Sequence, residues 1–69
     1  MFKIGQRVVV LRAHYGGSND EGTVIKKCSQ REYKGMWWID LGYTQLPVEP
    51  ERLVDSVEYW KEYIDKQRQ

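Results

Sequence analysis

Side chains able to do covalent or acid–base chemistry are few in this sequence, and they stand apart. The one histidine, His14, lies in a stretch rich in Gly and Asn. It has no second His or Cys at metal-ligand spacing and no nucleophile to activate, so it reads as an exposed loop residue. The one cysteine, Cys28, ends a β-branched run without a His partner, which describes a buried, inert thiol and excludes an internal disulfide. Carboxylates are scattered, with no pair that periodicity would place around a cleft. Gly16-Gly17 lacks the Gly-Lys-Ser/Thr and the following helix of a phosphate loop. These residues lead us to expect a non-enzyme that holds no metal and no cofactor.

Residues suited to recognition are plentiful. Aromatic side chains make up 13% of the chain, enough to supply both core area and contact surface. Trp38, with Tyr15 and Tyr33 in loops and Tyr43 in a turn, forms a candidate aromatic groove for gripping a protein partner. Trp60 and Ile64 of a C-terminal helix are the competing occupants of that groove. Arg7, Arg12, Lys26, Lys27, Arg31 and Lys34 form a candidate positive stripe facing nucleic acid or an acidic protein surface. Tyr33 and Trp38 beside it suit base stacking. Asp20, Glu21, Glu32 and Asp40 interrupt the stripe and equally describe a solvated charged face. Eleven Lys and Arg against ten Asp and Glu leave a net charge of +1, which removes the strongest electrostatic argument for non-specific nucleic-acid binding. A protein therefore ranks first as partner, with nucleic acid the alternative.

The elements that position these residues follow from pattern. Val8, Val9, Val10 and Leu11 make the first strand, Gln6 to Arg12, introduced by Gly5. A loop of turn residues, Ala13 to Asp20, follows. Gly22 opens a second strand to Cys28, whose imperfect alternation around Val24 and Ile25 implies a long strand that bends. The polar stretch Ser29 to Lys34, with Gly35, is a hairpin connection into Met36 to Leu41. Period two then sets Trp37, Ile39 and Leu41 on one face and Trp38 and Asp40 on the outer one. Gly42-Tyr43 turns into the short strand Thr44 to Val48, where Pro47 suits an edge. Pro50 starts a single helical turn before a brief pairing through Leu53 and Val54.

From Asp55 the period becomes helical. Asp55 is the N-cap, Glu58 stands at the capping-box position, and Val57, Trp60 and Ile64 share one stripe. About 13 residues of helix do not hold alone, so the stripe must dock on the barrel, on a partner or on a second copy of the chain. Sixty-nine residues make one domain of marginal stability. No apolar run is long enough for a signal peptide or a membrane span, so the expected location is the cytoplasm.

Several short strands ended by a helical turn and a brief final strand describe a five-stranded barrel, residues 1–54, followed by an amphipathic helix, residues 55–69. The segment Ile4-Gly5-Gln6-Arg7-Val8-Val9-Val10-Leu11-Arg12, then Glu21-Gly22-Thr23-Val24, resembles the opening of SH3-like barrels, including the KOW-type modules of ribosomal and transcription proteins. Its glycine, Val, Leu-Arg and Gly-Thr-Val arrangement is locally similar to photosystem I subunit IV-type barrels. The resemblance implies an SH3-like barrel, a fold that hosts many unrelated roles; KOW- and Tudor-like relatives imply nucleic-acid binding. Type II dihydrofolate reductases, oligomeric enzymes on the same barrel, carry a Val-Gln-Ile-Tyr strand before Pro-Val. Here Thr44-Gln45-Leu46-Pro47-Val48 lacks the tyrosine and moves the glutamine to the other face. The aromatics and the missing catalytic groups, not the resemblance, lead us to expect a small adaptor or regulator, of the size of many phage or mobile-element regulators.

Overall fold

A computed structural model describes residues 2–12 and 18–68. Five strands, β1 (Arg7–Val10), β2 (Asp20–Lys27), β3 (Trp37–Asp40), β4 (Gln45–Val48) and β5 (Leu53–Asp55), precede one helix, α1 (Ser56–Gln67). They form one antiparallel sheet in the order β4-β3-β2-β1-β5. The strands that are neighbours in sequence are neighbours in the sheet except β5, which returns to pair with β1. Among the described residues β4 and β5 do not pair with each other, so the hydrogen-bonded sheet is open where the sequence reading expects a closed barrel. Their connection is one 3-10 turn, Pro50–Arg52, with Pro50 at its first position, where a missing N–H costs nothing.

The core draws on every strand. Val8 and Val10 of β1, Val24 of β2, Ile39 of β3, Val48 of β4 and Leu53 of β5 form one buried cluster, with Phe2, Trp37, Leu41 and Leu46 packed against it. Because both edge strands deliver a side chain to the same cluster, the sheet curves about a single core. Trp37, Ile39 and Leu41 thus share the inner face, as period two requires.

Strand β2 bends as its imperfect alternation implied. Val24 pairs with Ile39, yet Lys26 pairs with Trp38, so two residues of β2 pass one of β3. This β-bulge re-aims everything after it: Lys26 faces Trp38 and Lys27 faces Trp37. Gly22, buried opposite Val8, lies so close to β3 that a Cβ there would stand 2.7 Å from the Asp40 carbonyl oxygen. The β3–β4 turn is built by Gly42 at φ +94, while Asp40 Oδ1 accepts from the Gly42 N–H at 2.8 Å.

Strand β2 starts at Asp20, two residues before the glycine that pattern suggested, because Asp20 pairs with Val10. The Asn19 carboxamide oxygen also accepts from the Arg12 N–H at 3.0 Å, closing the loop base. At the other end Asp55 both ends β5 and caps α1, accepting from Val57 N–H and Glu58 N–H through one oxygen and from Gln6 Nε2 through the other. No helix among the described residues is long and apolar enough to cross a membrane.

Candidate binding surfaces

The aromatic residues singled out by sequence fall at two ends of the sheet. Trp38, half-buried on the outer face, meets Tyr33 edge-on with ring centroids 6.0 Å apart. Tyr33 belongs to a 3-10 turn, Arg31–Tyr33, inside the β2–β3 connection. Tyr43 stands beyond the opposite end of β3, where its hydroxyl donates to Asp20 Oδ2 at 2.8 Å. That hydrogen bond, with the Asp20 charge, pushes its phenol pKa above the usual value near 10. Tyr15, like His14, lies outside the described residues. The structure therefore brings Tyr33 and Trp38 together and sets Tyr43 apart.

The basic residues also divide. Arg7 Nη2 pairs with Glu21 at 3.5 Å and its Nη1 donates to Thr23; Arg12 Nε pairs with Asp20 at 3.2 Å. Lys26, Lys27, Arg31 and Lys34 have no such ion pair among the described residues. All four are exposed and sit at the Tyr33–Trp38 end. Lys27 Nζ lies 5.8 Å from the Trp37 ring centroid, and Trp37 meets Phe2 edge-on. Lys27, Trp37, Phe2, Gly35 and Pro50 line a cleft of about 430 Å³.

Helix α1 packs over β1 and β5, two strands away from β3, so its aromatics do not lie over Trp38. Its sheet-facing row is Ser56 and Tyr59. Ser56 is buried and its hydroxyl donates to the Glu21 carboxylate; Tyr59 Oη accepts from Asn19 Nδ2 at 3.2 Å. The Ser56 hydroxyl, then Arg7 and the Trp60 indole N–H, hold Glu21 below the usual carboxylate range against a smaller opposing effect of desolvation. Val57, Trp60 and Ile64, the expected docking stripe, are 75%, 44% and 50% exposed. With Ser56, Lys61, Asp65 and Arg68 they line an open groove of about 560 Å³. From Trp60 to Arg68 every residue is exposed, so the helix projects past the sheet.

Sequence reasoning missed that Ser56, Tyr59 and Tyr63 make a rival stripe at i, i+3 and i+7. The available signal was that hydroxyl-bearing residues can find polar partners such as Glu21 of β2 and Asn19 just before it. Cys28 is buried, and burial raises its thiol pKa against the smaller opposing effect of Lys26. Among the described residues no three of His, Cys, Asp and Glu group as metal ligands. No protein-family model, curated protein or solved structure matches the chain.

Proposed function

We propose that this chain is a non-catalytic binding module, an adaptor or regulator, on an SH3-like barrel, and that it recognises another protein. Support for the barrel comes from the strand order β4-β3-β2-β1-β5, the bulged long second strand and the 3-10 turn between β4 and β5. The observation that carries protein recognition is the exposed apolar stripe of Val57, Trp60 and Ile64 on a helix that leaves the sheet, Trp60 being held at its indole N–H by Glu21. A 12-residue helix has little stability of its own in water. An exposed Trp beside Ile and Val on it is a cost that association removes.

Spacing of i, i+3 and i+7 is that of helix-in-groove recognition, in which an amphipathic helix lays its apolar anchors into a hydrophobic groove. The partner that fits is a protein with such a groove and carboxylates at its rim, since Lys61 and Arg68 flank the anchors against Asp65 alone. Trp60 would be the dominant anchor, because Trp, with Tyr and Arg, is the residue type enriched among interface hot spots.

The test is affinity purification of the tagged chain from nuclease-treated native lysate, run in parallel for Trp60→Ala, Ile64→Asp and Glu62→Ala. A stoichiometric protein lost with the first two and kept with the third, and crosslinked from a photoreactive residue at Val57, supports the reading. Recovery unchanged by Trp60→Ala and Ile64→Asp overturns the helix as the site. If Trp38→Ala and Tyr43→Ala are also without effect, protein recognition by this chain fails as a whole.

A further inference from the structure

We infer that the β2–β3 end of the sheet is a second, separate binding surface, one that takes single-stranded nucleic acid. Three observations converge there. First, charge is segregated although the whole chain is nearly neutral. Between Lys26 and Trp38 the sequence holds four cations, Lys26, Lys27, Arg31 and Lys34, against one carboxylate, Glu32. Second, these four are the cations of the proposed stripe left without an ion pair among the described residues, whereas Arg7 and Arg12 are neutralised by Glu21 and Asp20. Every residue of the connection from Ser29 to Gly35 is exposed, so nothing in the described chain covers these charges.

Third, the bulge in β2 places Lys26 opposite Trp38 on the outer face, while Lys27, paired with the inward Trp37, reaches the same end of the sheet from its other face. Trp38 continues into Tyr33 through an edge-on contact. Cations that meet a phosphate backbone, next to aromatic rings on which bases stack, are the two requirements of single-strand binding without base readout. Bases in a duplex are already stacked and offer no free face to Tyr33 or Trp38, so the surface favours single strands. An acidic protein would use the cations too, and polyglutamate stands for it in the test below. Exposed Tyr33 and half-buried Trp38 beside unpaired cations favour the nucleic acid.

The probe is a fluorescently labelled oligothymidylate of roughly 12 nucleotides, within the ~4–16 nucleotides that small single-strand-binding folds occupy. Its anisotropy is followed with the full chain. With three to four phosphates neutralised, the slope of log affinity against log salt is about −2 to −3, a loss of roughly 20- to 50-fold between ~50 and ~200 mM salt. Lys26→Gln with Lys34→Gln should flatten that slope by about 1.4. Tyr33→Leu should weaken binding by roughly 5- to 150-fold, the loss of one stacked base, with little change in slope. Trp60→Ala should leave binding intact, which separates this surface from the helix.

Each variant is first matched to the parent by thermal melting, and Tyr33, being exposed, serves where Trp38→Ala does not fold. The inference is overturned by absence of saturable binding at the lowest salt or by a slope indifferent to the lysine pair. It is overturned equally if polyglutamate competes as well as the oligonucleotide, or if duplex is bound as tightly as single strand.

Discussion

Gly22→Ala tests whether the close approach of β2 to β3 sets the curvature that builds the core. An added Cβ would stand 2.7 Å from the Asp40 carbonyl oxygen, 2.8 Å from Ile39 Cγ2 and 2.9 Å from Leu41 Cδ2. The two side chains have some freedom, but the carbonyl belongs to a strand paired to β2 at Thr23–Asp40 and to β4 at Gln45. Relief therefore requires β2 and β3 to separate by several tenths of an ångström beside a core with no slack. Overpacking of this kind costs ~1–3 kcal/mol, a large share of the roughly 3–10 kcal/mol expected for a domain of this size.

At ~4–8 °C for each kcal/mol in a domain of this size, a cost of ~2 kcal/mol lowers Tm by roughly 8–16 °C. Far-UV circular dichroism melts and urea titrations of the parent, Gly22→Ala, Leu41→Ala and the double variant measure it. Leu41→Ala removes one of the three contacts and leaves the backbone oxygen in place, so the double variant should stay well below Leu41→Ala alone. A Gly22→Ala melt within about 2 °C of the parent would falsify the close-approach argument. So would recovery of the whole loss in the Leu41→Ala background.

Three further outcomes are expected. Asp55 is held below its ordinary pKa of 3.8 by the Gln6 amide and then by the Glu58 and Val57 N–H groups. The stability it contributes is therefore present above about pH 4 and is lost as pH falls through its lower folded value. Urea midpoints taken from pH 7 down to about 2 should show that loss in the parent and a smaller one in Asp55→Asn. Cys28 is buried with a raised thiol pKa, so a disulfide reagent should label it slowly in native buffer and rapidly in urea; fast native labelling would contradict its burial. Ile39 is fully buried at the centre of the core, and Ile39→Ala should cost ~2–5 kcal/mol, read as a fall in urea midpoint with an unchanged m-value.

Local patterning made much of this protein legible. Alternation around Ile39 named the inner face of β3, Pro50 marked the 3-10 turn, and Asp55 announced the helix, because each depends on backbone geometry within a few residues. The imperfect run at Val24-Ile25 signalled a bend, though not that the bend is a bulge delivering Lys26 and Lys27 to the two tryptophans, since register belongs to a pair of strands.

The candidate surfaces divide in the same way. Which residues are cations or aromatics is written in the chain itself. Which cations are spent on Glu21 and Asp20, and that Tyr43 bonds Asp20, depends on partners 8 to 23 residues away. The helix shows the limit most clearly, because its period established that it is amphipathic but offered two stripes. Only the tertiary structure decided that Ser56 and Tyr59 face the sheet while Val57 and Ile64 face outward, with Trp60 between them reaching Glu21 through its indole N–H. The reason is long-range: the Ser56 hydroxyl finds Glu21 and the Tyr59 hydroxyl finds Asn19, partners 35 and 40 residues away that no helical period can reveal.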